Sequence, residues 1–342
     1  MPTKCCPNCF GDRELEVNIF NTLELSEGTC SFCKTFSAKL ADPSGLREVF
    51  ELLVSSYEED VDGEITIVEW LMEDWLLFDC PSINLNDAKQ LLAEILDDGE
   101  ITRRPVKPTA AHQTTGLTNW ETLKDELRYK NRYFLDEELN QDRLGELLDY
   151  LISDPLPEEW FRARIMSDEV PYELSKMGAP PKGIASYGRA NPSGIPYLYV
   201  ASCPQTALAE IRPNTGDLAT VAKFRIPADA KIVDLRNPKK LVSPLILGDA
   251  NDIAKLRLDI PFLAKLGDEL TRPVLPRSAA IDYVPSQFLC EFIKKRGFSG
   301  VLYSSSLSGG VNLALFDVGS VTGIEVSTYK VIKVSVEISE ER

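Results

Sequence analysis

The chain holds a single histidine, His112, among its 342 residues. One histidine excludes any multi-histidine metal centre, and a Ser-His-Asp triad would have to be built on this residue of the loop-like stretch PTAAHQTTG. Long apolar runs are also missing. No stretch of 18 uncharged apolar residues occurs, and the start, MPTKCCPNC, is not a basic-then-apolar leader. A soluble, cytoplasmic chain with no membrane partner is therefore the expectation. Positive charge is scarce: 37 Lys and Arg face 53 Asp and Glu, a net of −16. That balance argues against a surface built to grip nucleic-acid phosphates. Gly309-Gly310 stands outside any phosphate-loop or dinucleotide fingerprint, so neither nucleotide fold of that kind is supported. Chemistry is left to Arg, Glu, Tyr and Ser.

What charge there is lies unevenly. Residues 1–150 hold 14 Lys and Arg against 31 Asp and Glu, a net of −17, while 151–342 hold 23 against 22. The acidic half either keeps the protein soluble or meets a basic partner. The balanced half can accept a small anion.

Five of the eight cysteines fall in the first 33 residues. Cys6-Pro-Asn-Cys9 and Cys30-Ser-Phe-Cys33 have the paired C-x2-C spacing of a zinc ribbon, in which two knuckles give four thiolates to one tetrahedral ion. Cys5 competes with Cys6, but only Cys6 gives the knuckle spacing. Four thiolates leave the ion no open position, so this zinc is expected to be structural. Cys80, Cys203 and Cys290 are scattered and are expected to be buried small apolar residues.

After a break at ADPSGL, apolar residues recur at helical spacing in LREVFELLVSSY, ITIVEWLMEDWLLF and DAKQLLAEIL. Between the first two, Asp60, Asp62, Gly63 and Glu69 fall at calcium-loop positions. Glu58 stands where the first aspartate should be, and no second loop partners it, so this and the repeated DGEIT at 98–102 read as Asp-Gly turns. WETLKDELRYKNRYF and LDEELNQDRLGELLDYLI are helical again. From Pro155 the texture changes. WFRARI, GIPYLYVAS, LATVAKFRI, AKIVDLR, GVLYSS, VNLALFDV and the alternating tail read as strands, with helices at PQTALAEI and PSQFLCEFIKKRG. Strands and helices mix without a βαβ repeat, which predicts an α+β domain.

The chemistry-bearing residues cluster in that second half. WFRARI places Arg162 and Arg164 on one side of a strand. GRANPSG places Arg189 in a turn, and YLY places Tyr197 and Tyr199 on one face. Glu210 follows on the helix TALAE, and GVLYSSSLSGGVNL supplies Ser305 and Asn312. Guanidinium forks suit a pyrophosphate, a carboxylate suits an oxocarbenium-like transition state, and a tyrosine face suits a flat ring.

The order RAR, GRxNPxGIPYLY, TALAE and Gly-Val-x-Tyr-x-Ser followed by GGVNL resembles the RES domain family, over roughly residues 158–320. The resemblance implies a fold like that of ADP-ribosyltransferases. It also implies cleavage of the nicotinamide–ribose bond of NAD by hydrolysis or phosphorolysis, and a role as the toxin of a bacterial toxin–antitoxin pair or as a defence effector. By position it implies catalytic roles for Arg162, Glu210 and Ser305, and NAD-binding roles for Arg164, Arg189, Tyr199 and Asn312. Whether Arg162 or Arg164 is the family arginine stays open. Ala190 stands where family members often carry an aromatic residue. Implied partners are NAD as substrate, phosphate as an acceptor beside water, and an antitoxin or regulatory protein; self-association is left open. Two other readings are a transferase that moves ADP-ribose onto a macromolecule, and an idle binding module. The resulting organisation is a zinc-ribbon-like segment at 1–40 with Cys6, Cys9, Cys30 and Cys33 as ligands, an acidic helical domain at 41–154 and a RES domain at 155–342.

Overall fold

The computed structural model describes residues 3–36, 38–109, 117, 120–136, 139–153, 155–275 and 277–335. His112 and the last residues of the alternating tail lie outside the described residues. In chain order the first elements are β1 (Ser26–Gly28), β2 (Ala38–Leu40), α1 (Arg47–Val54), β3 (Tyr57–Glu59), α2 (Ile67–Trp75), α3 (Leu85–Leu96) and β4 (Val106–Pro108). Then come α4 (Trp120–Tyr129), α5 (Gln141–Tyr150), β5 (Glu159–Ile165), β6 (Leu198–Ala201), α6 (Pro204–Glu210), β7 (Leu218–Arg225) and β8 (Ile232–Asp234). The rest are α7 (Pro238–Leu241), α8 (Ala250–Thr271), α9 (Ala279–Asp282), α10 (Val284–Lys295), β9 (Gly300–Ser304), β10 (Val311–Leu315) and β11 (Thr322–Lys330). No helix among the described residues is long and apolar enough to cross a membrane.

Two compact units emerge, Met1–Leu117 with Asn237–Leu263, and Thr118–Arg236 with Ala264–Arg342. In the first, β1 pairs with β2 and β3 with β4, both antiparallel. The apolar spacing of its helices puts large aromatic residues in the core: Phe50, Trp75 and Phe78 are buried. Glu69, the residue at the last calcium-loop position, is committed elsewhere. Its Oε2 accepts from the Thr66 backbone N–H at 2.8 Å, which closes a capping box at the start of α2.

The second unit is α+β, as the sequence predicts. Its seven strands run β11-β7-β5-β6-β10-β9-β8, antiparallel except for the parallel pair β8–β9. Side chains alternate across a strand, so each strand serves two faces. On one face Trp160, Leu198, Val200, Ala222, Phe224, Leu302, Leu313 and Leu315 form the main core. On the other, Ala163, Ala201 and Val221 are small, and Ala207 of α6 packs onto them. This second face also carries Tyr199, Tyr303 and Asn312, because the register pairs Ala314 with Tyr199 and Tyr303 with Asn312.

Candidate active site

The sheet opens where the site lies. β5 and β6 pair only at Phe161 with Ala201. Beside that junction Arg162 Nη1 donates to the Tyr199 carbonyl at 3.3 Å, while its Nε is buried without a partner. Burial, with the Arg164 charge adding to it, pulls the Arg162 guanidinium down to about 10. It remains a cation at neutral pH.

The GRAN turn closes on Tyr199 from above. The Tyr199 hydroxyl donates to Asn191 Oδ1 at 2.7 Å and accepts from the Ala190 N–H at 3.0 Å. Burial raises its pKa, so it enters any reaction as a neutral phenol. Gly188 is required here, since a Cβ would stand 2.6 Å from that hydroxyl and 2.5 Å from Asn191 Oδ1. The turn fixes Arg189, whose Nη1 donates to the Arg272 carbonyl at 2.7 Å and whose guanidinium lies 5.3 Å from the Tyr283 ring centre. Ser286 and Gln287 of α10 secure the turn from behind by donating to the carbonyls of Arg189 and Gly188.

Glu210 is the last residue of α6. Its Oε1 accepts from Ser305 Oγ at 2.6 Å and from Asn312 Nδ2 at 2.7 Å. Among the described residues none donates to Oε2. Ser305 and Asn312 flank the turn between β9 and β10, and that turn is pressed onto α6. A Cβ on Gly310 would fall 2.0 Å from Thr206 Oγ1. Glycine there allows a backbone approach that brings both donors to one carboxylate oxygen.

Arg162, Arg189, Tyr199, Glu210 and Asn312 line one cleft of about 520 Å3, within the usual range for a small-molecule site. A model of the RES domain matches residues 159–331. This chain belongs to the RES domain family. A solved structure similar to it is a chain of the M. tuberculosis MbcT-MbcA toxin-antitoxin complex, with 16% identity and a TM-score of 0.33, over 55% of this chain and 92% of that one. Among curated proteins no similar sequence is found.

Two candidates of the RES domain stand apart from the cleft. Arg164 is exposed, donates to the Lys176 carbonyl at 2.7 Å and lies 4.6 Å from the Tyr172 ring centre. Tyr197, expected beside Tyr199, precedes β6 and packs on Phe316 with ring centres 4.8 Å apart. Ser305 acts on the cleft through Glu210. Arg212, Tyr283 and Tyr303, none of them a candidate from the sequence, also line the hollow. Tyr303 was legible in Gly-Val-x-Tyr, whereas nothing marks Tyr283 or Arg212 by spacing.

N-terminal to the RES domain, Cys6, Cys9, Cys30 and Cys33 converge with all four sulfurs within 4.8 Å of one another. Cys6 and Cys9 flank a tight turn at Pro7–Cys9, and Cys30 and Cys33 sit between β1 and β2. Three are buried, and closest approaches of 3.3 Å (Cys6–Cys33) and 3.4 Å (Cys9–Cys30) suit four sulfurs around one small ion. Cys5 is not among them; its Sγ lies 3.8 Å from the Ala41 carbonyl. Of the three scattered cysteines only Cys290 is buried as expected. Cys80 and Cys203 are half-buried, Cys80 in contact with the Asn8 carbonyl and Cys203 just before α6, its sulfur 3.2 Å from Thr206 Oγ1.

Proposed function

We propose that the RES domain cleaves the nicotinamide–ribose bond of NAD, with water or inorganic phosphate as acceptor. The observation that carries the reading is the Glu210 carboxylate. One of its oxygens is held by Ser305 and Asn312, and the other is free in a cleft that also contains Arg162, Arg189 and Tyr199. The two guanidiniums match the two phosphates of the dinucleotide through charge-assisted hydrogen bonds, and Tyr199 offers a flat face to a ring. As the C–N bond breaks, its electron pair passes to the nicotinamide, which leaves neutral. No general acid is needed, in keeping with a cleft that contains no histidine among its described residues. Positive charge grows on the ribose, and the anchored carboxylate stabilises it electrostatically while accepting from a ribose hydroxyl. An oxygen of water or phosphate then bonds to the ribose carbon, and a proton is released.

The same reading gives the chain the role of a cytoplasmic toxin or defence effector that depletes NAD, under the control of an antitoxin or regulatory protein. It assigns a structural zinc ion to Cys6, Cys9, Cys30 and Cys33, which when bound crosslinks the two knuckles and supplies folding energy. The test is incubation of the purified protein with NAD, with and without phosphate, following nicotinamide by chromatography beside the Glu210→Ala variant. Release by the unmodified protein alone supports the reading, and a phosphate requirement makes the enzyme a phosphorylase. Absence of release under both conditions, from protein freed of co-purifying partners, overturns it.

A further inference from the structure

The cleft has a third guanidinium. α6 ends at Glu210, and the chain turns away through a hydrogen bond from the Arg212 N–H to the Ala209 carbonyl at 3.0 Å. Arg212 itself sits at φ 47°, in the left-handed region. Just past a helix end that conformation ordinarily goes to glycine, and the residue after it, Pro213, narrows the backbone choices further. Any residue with a Cβ fits this backbone less well than glycine does. Strained residues of this kind concentrate at functional sites, where the side chain repays the strain.

The side chain of Arg212 is exposed and lines the cleft two positions beyond Glu210. Among the described residues none accepts a hydrogen bond from its guanidinium or forms an ion pair with it. It is thus neither a helix-end cap nor half of a structural salt bridge. The cleft has three arginines, Arg162, Arg189 and Arg212, and Glu210 is its one described carboxylate. Such an excess of cations lining one cleft concentrates anions there. Arg162 and Arg189 each spend one nitrogen on a backbone carbonyl, whereas Arg212 keeps its whole fork free for a ligand.

We propose that Arg212 is a substrate-binding residue that holds a phosphate oxyanion next to Glu210. The inference rests on the reading of the cleft as an NAD-cleaving site. The oxyanion comes from one of two sources, the pyrophosphate of the dinucleotide or the inorganic phosphate that serves as acceptor.

The experiment compares the full-length protein with Arg212→Gly and Arg212→Asn. Glycine and asparagine both accept a left-handed backbone, so neither variant threatens the fold, and melting temperature is followed for each. Calorimetric titration with inorganic pyrophosphate and with inorganic phosphate reads anion binding without any turnover. Both variants are expected to bind at least one of these anions about tenfold more weakly. Arg212→Gly is expected to melt at a higher temperature than the unmodified protein. Anion binding within twofold of the unmodified protein in both variants, or no binding by the unmodified protein, overturns the inference.

Nicotinamide release is measured on the same samples. A raised KM for NAD assigns Arg212 to the substrate pyrophosphate, and a raised KM for phosphate alone assigns it to the acceptor. Weakened anion binding with no release by any sample supports the role of Arg212 while the NAD reading falls. Release with unchanged KM values for both ligands does the reverse.

Discussion

Ser305 Oγ donates to Glu210 Oε1 at 2.6 Å, across 95 positions of sequence. Asn312 Nδ2 reaches the same oxygen at 2.7 Å, so two donors orient one carboxylate and leave its second oxygen for the substrate. Removing a preorganised donor costs about 10²- to 10³-fold where charge develops in the transition state. Here the donors act at one remove, through the carboxylate. Ser305→Ala and Asn312→Ala are therefore each expected to lower kcat for nicotinamide release by about tenfold to a hundredfold. Glu210→Ala should lower it by about a thousandfold or more. The double variant should lose less than the product of the single losses, because both donors serve one atom. Independent, multiplicative losses would mean that Ser305 or Asn312 acts on the substrate directly.

Most of this cleft was legible in the sequence, because Glu210, Ser305 and Asn312 sit in short motifs whose order is itself informative. The strands were legible for the same reason that they hold the site. Leu198 and Val200 alternate with Tyr199 and Ala201 across one strand, and the sheet has one face for the core and one for the cleft. The illegible parts depend on geometry that no period encodes. Period two puts Arg162 and Arg164 on one side of β5, but only Arg162 lies where β5 and β6 part. Tyr197 fails likewise, because it precedes the strand that would have aligned it with Tyr199. Arg212 is set by a backbone angle. α8 escaped because Pro261 interrupts its pattern and Leu258 faces solvent, 53% exposed, which blurs its apolar stripe. Cys80 and Cys203 were expected in the core as small apolar residues, yet both end beside polar groups at turns or helix ends.

The two strand arginines separate cleanly by experiment. Arg162 is enclosed at the strand junction and tied to the Tyr199 carbonyl, while Arg164 is exposed and leans on Tyr172. Arg162→Ala is expected to weaken NAD binding at least tenfold, measured as KM or by titration with a non-cleaved dinucleotide analogue. Arg162→Lys should not restore it, because a point charge cannot reproduce the fork. Arg164→Ala should leave KM and kcat within about twofold and stability within about 0.5 kcal/mol. The opposite ranking would make Arg164 the substrate-binding arginine.

The cysteine cluster makes a prediction about metal content. Protein purified without chelator should contain one zinc per chain by elemental analysis. Cys6→Ser should lose it, whereas Cys5→Ser should keep it, since Cys5 contacts the Ala41 carbonyl and is not one of the four converging sulfurs. Chelation should lower the melting temperature and release the thiols to a colorimetric reagent, because metal binding and folding are linked at such sites. A full zinc complement in Cys6→Ser would overturn the assignment of the ligands.

The last prediction concerns the turn that carries Ser305 and Asn312 to Glu210. Gly309 and Gly310 are adjacent and chemically identical, but they face different surroundings. A Cβ at Gly309 meets nothing within 4 Å, while one at Gly310 would lie 2.0 Å from Thr206 Oγ1 and 3.0 Å from Thr206 Cβ. Thr206 is 1% exposed and lies inside α6, so it cannot swing aside. Gly310→Ala must instead push the turn away from the helix that ends in Glu210. Overpacking of this kind costs about 1–3 kcal/mol. The displacement also lengthens the Ser305–Glu210 and Asn312–Glu210 bonds, so kcat should fall along with the melting temperature. Gly309→Ala should change neither by a measurable amount. If both substitutions are tolerated equally, the close approach of the turn to α6 is not what aligns the carboxylate, and the two hydrogen bonds must be held by the strands alone.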